Sequence, residues 1–276
     1  MNDKKQVATK EKGNALATAE SFEMLGSAGF DEVTTDDIAI PFLRILADGS
    51  PQVKKRDGAY VDGAEPGMIY NTVLNEVYDG EKGIKVIPCY YNRRFVEWIP
   101  RETKGGGYVQ SFDPSDPIVN TTTRDDQGRD VLENGNYLAN TAQFFVLFMH
   151  EDLGVQRALI AMTSTQLKKS RKWLAQAQSI TAKGKNGVYT LPLMSQVYTL
   201  STIPESNDKG SWYGWDITRD KQLDLSNEDE ASIFDTAVGF GNSVKQGDVQ
   251  VKSDNADDTW EGGSDSVTNN KNDGVM

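Results

Sequence analysis

The chain has 276 residues, of which 37% are hydrophobic, a formal net charge of −12 and a pI of about 4.7. That is enough length for one large or two small domains with a real core. A single cysteine, Cys89, excludes an internal disulfide and fits a reducing cytosol; no apolar run approaches a membrane span, and Met1–Asn14 lacks the core of a secretion signal, so a cytoplasmic location is expected.

Residues 1–30 read as an N-terminal arm, polar and disordered at first, then helical from Ala15 to Leu25 with Gly26 as its stop. From Ile38 the vocabulary turns to β-branched and aromatic residues. Strands are expected at Pro41–Ala47, Gly67–Thr72, Ile84–Ile99, Tyr137–His150 and Val155–Thr163. Turn signals separate them at Asp48-Gly49, Asp57-Gly58, Asp79-Gly80 and Glu151 to Gly154. Gly105 to Gly135, with three glycines together and Asp-Pro twice, reads as a long irregular excursion. Thr163 and Gln166 have capping-box spacing and predict a helix to about Ile180. Strands follow at Val188–Ile203 and Trp212–Thr218. A last helix runs from Glu228 to about Phe240, with three acids in its first turn to suit the helix dipole. Residues 31–246 would form the folded domain and residues 247–276 a disordered acidic tail.

Charge is sorted along the chain. From Leu153 to Pro204 there is no Asp or Glu, against seven Lys and Arg; from Asp224 to the end there are twelve acids and three lysines. A basic surface beside a detachable acidic segment suggests a polyanion binder that carries its own competitor.

The helix after Thr163 lies inside the acid-free stretch. At 100° per residue Leu167, Leu174 and Ala177 share the side expected to face the core, and Lys168, Lys169, Lys172 and Trp173 lie opposite. A solvated face is the ordinary fate of a charge run. The absence of any offsetting acid, and a bulky ring beside Lys169, favour phosphate binding by Lys168, Lys169, Arg171 and Lys172 with Trp173, joined by Lys185. The second candidate runs from Lys82 to Val109, where six basic residues interleave with aromatics: Lys85, Tyr90, Tyr91, Arg93, Arg94, Phe95, Trp98, Arg101 and Lys104. Cations that track phosphates, and flat rings that stack on bases, hold single strands without reading sequence. Beyond Pro88 each face of this strand carries an arginine and an aromatic, so alternation does not say which face is wet. In the tail, Asp257-Asp258-Thr259-Trp260-Glu261 sets one large aromatic among acids, the composition of a docking motif.

Signals for catalysis are poor. One histidine, His150, and one cysteine cannot make a His/Cys metal cluster, and Gly105-Gly106-Gly107 is not followed by the Lys-Ser or Lys-Thr of a phosphate loop. Asp79 with Glu102-Thr103-Lys104 matches the loose spacing of metal-dependent nucleases, but Pro100 and the glycines argue for a loop where those sites need a strand.

Ile40-Pro41-Phe42-Leu43-Arg44-Ile45-Leu46 with Ser50-Pro51-Gln52, Gly83–Pro88, Glu97-Trp98-Ile99-Pro100-Arg101 and Ser164–Trp173 resemble proteins of tailed bacteriophages. The similarity covers about Ile38 to Thr218 and points to acidic-tailed single-stranded DNA-binding, helix-destabilising proteins. The resemblance implies an OB-fold barrel, hence a mainly β (α+β) class with an OB-like core, a basic helix and disordered termini. It further implies a role in phage DNA replication or recombination in the host cytoplasm, and a tail that competes with DNA and recruits replication or recombination proteins. No enzyme activity, cofactor, metal or membrane contact is expected, and a homo-oligomer is left open. The competing readings are a phage virion or assembly protein and, more remotely, a nuclease.

Overall fold

The computed structural model describes residues 24, 28–33, 38–100, 103, 106–152, 154–208, 210–249 and 251. The expected helix at Ala15–Leu25, Arg101, Lys104 and nearly all of the acidic tail therefore lie outside the described residues. The chain divides into two compact units at Ile38/Ala39, and the second holds every described strand.

Its centre is a pair of long antiparallel strands, β4 (Ile84–Ile99) and β8 (Tyr137–His150), with the bounds the composition predicts. Each is too long for one neighbour to cover. On the outer side of β4, β12 (Gln196–Asn207) pairs its first residues and β5 (Gly107–Phe112) its last. Beside β8, β9 (Gly154–Met162) takes one end and the short β7 (Asp130–Val131) the other, followed by β6 (Thr123–Arg124). β13 (Gly210–Gln222) completes the sheet beyond β12. The pairing runs from β13 to β6 with no link between these edges among the described residues, so the sheet is a curled half-barrel. The fold is mainly β with two long helices. The stretch read as irregular, Gly105 to Gly135, carries β5 to β7.

A small sheet of β1 (Leu43–Ile45), β2 (Ile69–Asn71) and β3 (Glu76–Tyr78) joins the edge of β9, where Leu159 donates its amide to the Pro41 carbonyl at 2.8 Å. It is also pinned to β12: Thr202 donates its hydroxyl to the Gly67 carbonyl at 2.6 Å and its amide to Gly80 at 2.8 Å. A Cβ on Gly80 would lie 2.0 Å from the Gly67 oxygen, so only glycine allows this approach.

The main sheet is apolar on both faces because each face is covered. On one, helix α1 (Leu167–Gln178) and the small sheet pack over Val86, Phe144, Val146, Ile160 and Leu200. On the other, helix α2 (Glu228–Gln246) covers Ile87, Phe145, Leu147, Leu159 and Val197 through Ala237, Phe240 and Val244. A register shift between Pro88 and Tyr90 makes Cys89 an extra residue in β4, where proline has no amide to give the ladder. Alternation therefore resets at that point. It could not reveal a wet face, since from Tyr90 to Phe95 every residue of β4 is half-buried except exposed Arg93.

α2 starts as read: Asn227 caps it by accepting the Glu230 amide at 3.0 Å, and Glu228, Asp229 and Glu230 occupy the first turn. It continues past Phe240 to Gln246, ending at Gly247 in the left-handed conformation (φ 85°). Gly241 does not break it; it lets the helix approach β4, where a Cβ would sit 2.7 Å from the Cys89 carbonyl. The α1 capping box does not form. Ser164 adopts φ 45° and a 3-10 turn intervenes over Ser164–Gln166, leaving Thr163 without a side-chain cap bond.

No described helix is long and apolar enough to cross a membrane. Cys89 is 2% exposed, and burial pushes its thiol up to about 12. The thiolate is the reactive form, so Cys89 in the native protein is expected to resist thiol reagents at neutral pH and to react at the rate of global opening. Rapid stoichiometric labelling of the folded chain would contradict the burial.

Candidate nucleic-acid interface

The structure separates the proposed contact residues into three groups. The first is buried. Trp173 is 1% exposed, its ring stacked on Phe144 with centroids 4.2 Å apart and edge-on to Tyr198 at 5.3 Å. It does not stand on the wet side of α1. The buried positions are Ser170, Trp173 and Ala177, so the inward face is rotated toward Trp173 from the one that Leu167 and Leu174 suggest. A fused ring reaches a sheet from further round a helix than leucine can, and its area rewards doing so. Trp98 is 8% exposed and meets Tyr108 edge-on at 5.7 Å. Tyr90 and Tyr91 are half-buried, tilted against Phe145 and Phe144, and Phe95 is half-buried on β4.

The second group has protein partners. Lys85 pairs with Asp220 at 2.8 Å and Arg94 with Asp113 at 2.8 Å. Arg93 donates Nε to Asn140 Oδ1 at 2.8 Å and lies over the Phe95 ring at 5.3 Å. Lys169, read as a free cation, is four-fifths buried and pairs with Glu205 at 2.7 Å. Glu205 Oε2 also accepts the Trp212 indole N–H at 2.9 Å. Burial pushes the Glu205 carboxyl up; the bonds from Lys169 and Trp212 outweigh it and leave the group below its ordinary value. Gly214 makes room, since a Cβ there would lie 2.3 Å from Glu205 and 2.7 Å from Lys169 Nζ. Acid-free segments can thus still be neutralised by acids just outside them, here one residue beyond Pro204. At the far end of β4, Glu97 is 3% exposed and held by carboxamides of Asn136 (2.6 Å), Gln110 (2.9 Å) and Asn134 (3.1 Å). Burial raises its pKa and these three donors more than reverse that.

The third group is free. Lys168, Arg171 and Lys172 are exposed on α1 with no ion pair among the described residues. After two residues α1 leads into a ribbon, β10 (Thr181–Gly184) and β11 (Gly187–Thr190), paired only to each other and exposed almost throughout. The ribbon adds Lys183 and, in its turn, Lys185, equally free, beside exposed Val188 and Tyr189. Lys183 was missing from the sequence-derived set, although it sits in the same acid-free run.

A cavity of about 140 Å³ lies where β1, the ends of β4 and β8, the Thr163–Gln166 turn and residues 212–215 converge. Its walls include Trp98, Tyr108, Tyr137, Trp212, Tyr213 and Trp215. The Trp212 ring is oriented by Glu205, and the Trp215 amide is fixed by Gln166 Oε1 at 3.1 Å. Sequence reading missed this site. Ser211-Trp212-Tyr213-Gly214-Trp215, three rings within four residues, was the available signal.

Among the described residues no three His, Cys, Asp or Glu side chains gather to hold a metal. Asp79 is occupied with its own turn, accepting the amides of Glu81 (2.9 Å) and Lys82 (3.2 Å); Glu102 lies outside the described residues. No curated protein and no solved structure matches the chain. A family model described as Pam3 phage gp34-like protein matches residues 9–250, nearly the whole folded region. The chain belongs to the Pam3 phage gp34-like protein family.

Proposed function

We propose that this phage protein binds single-stranded DNA without catalysis and without strong sequence preference, in replication or recombination. One observation carries the reading. Lys168, Arg171, Lys172, Lys183 and Lys185 form a run of exposed cations on a helix and the ribbon attached to it, unpaired among the described residues, while Lys85 and Arg94 on β4 pair with acids. Five positive charges held without counter-charges cost self-repulsion in the free protein, a cost that phosphates relieve by releasing counterions. The interface so drawn is narrower than a groove shared with β4, and it does not depend on a closed OB barrel. The acidic tail would compete for these cations at low salt or dock a replication partner.

The test is a binding titration with single-stranded and duplex oligonucleotides at two salt concentrations. Single strands are expected to bind more tightly, with affinity falling by a log–log slope of about 0.7 per phosphate contacted. Equal affinity for both forms, or none at low salt, would refute the proposal. The exposed Val188 and Tyr189 on the ribbon favour the second reading, an assembly protein whose ribbon contacts other phage proteins, and self-association without DNA affinity would support it.

A further inference from the structure

The cavity beside α1 is built to take a flat ring with a polar edge. Its walls combine aromatic rings with polar residues such as Thr141, Thr163 and Gln166, and Gln143 lines it, 6% exposed and with no hydrogen-bond partner among the described residues. A carboxamide left unbonded at the wall of a cavity is available to a bound donor–acceptor pair. Gln143 stands between Asn92 on β4 and Ala161 on β9, and Ala161 and Ala139 leave the space in front of it open. The size is informative: an apolar cavity of about 150 Å³ holds benzene, a single six-membered ring. Tyr213 is 38% exposed at the rim and Tyr108 and Tyr137 are half-buried, so the walls reach solvent. The Thr163–Gln166 turn that lines the cavity, strained at Ser164 with φ 45°, leads directly into the helix that carries Lys168, Arg171 and Lys172.

We propose that this cavity is a base pocket that receives one pyrimidine of a bound single strand, with the Gln143 carboxamide bonding the base edge and the surrounding rings enclosing its faces. This rests on the single-stranded DNA reading and adds to it a preference for thymine and cytosine over purines. A carboxamide offers one acceptor and two donors, the complement of a pyrimidine's mixed edge.

The experiment compares oligomers of dT, dC, dA and an abasic strand of equal length on the full chain, on Gln143→Leu and on Ala161→Leu, which fills the cavity from the neighbouring strand. The native chain is expected to bind dT and dC on the order of tenfold more tightly than the abasic strand, within the range of one enclosed base. Both variants should lose that preference and keep the abasic affinity, with melting temperatures showing that they fold. If one variant fails to fold, the other decides. Equal affinity of the native chain for all four strands overturns the pocket while leaving strand binding intact. A preference that survives in the folded variants places the base elsewhere and also overturns it. No binding of any strand removes both the pocket and the reading on which it rests.

Discussion

Trp173→Ala is expected to lower the free energy of unfolding by about 3–5 kcal/mol, the range for emptying a buried aromatic site. The ring stacks on Phe144, touches Tyr198 and fills the space between α1 and the half-barrel. Its loss removes apolar burial and leaves a void bounded by strands that cannot move inward. Denaturant titration reads the effect as a lower midpoint with an unchanged slope. The folded fraction should retain the salt dependence of DNA binding, because no base can stack on a ring 1% exposed. A stable variant with collapsed DNA affinity would place Trp173 at the interface after all.

The complementary result comes from the surface. Replacing Lys168, Arg171, Lys172, Lys183 and Lys185 together with glutamine is expected to reduce the slope of log affinity against log salt by about 3 to 4, at roughly 0.7 per phosphate. The melting temperature should barely change, since unpaired exposed charges contribute little to stability. Lys169 is deliberately left in place. Removing it would strand Glu205 without its cation and confuse lost folding with lost binding. An unchanged slope would show that the helix and ribbon do not meet DNA.

The elements most legible in the sequence were those whose signal is purely local. β4 and β8 announce themselves as long runs of β-branched and aromatic residues, and the acids in the first turn of α2 mark its start to the residue. The failures occur where distant parts of the chain decide. Gln166 is used by the Trp215 amide and not by a cap on its own helix. Trp173 faces inward because the sheet offers Phe144 and Tyr198 to receive it. The last helix runs on past Phe240, where Gly241 is a point of close approach to Cys89. The candidate site follows the same rule. Exposed cations could be found from charge alone, whereas Lys169 could not be told from Lys168 without Glu205. The cavity, assembled from several separate segments, has no local signature beyond its cluster of rings.

The order in which the sheet is assembled bears on how the chain is made. β4, β8 and β9 emerge early and can pair with one another as they leave the ribosome. β12 must return to β4 across more than a hundred residues, bringing Tyr198 to Val86, and α2 follows later still. Until α2 arrives, Ile87, Phe145, Leu147 and Leu159 present an uncovered apolar face. Non-local pairing of this kind slows folding and prolongs exposure of sticky surface. A nascent chain stalled before residue 228 is therefore the form most in need of a chaperone.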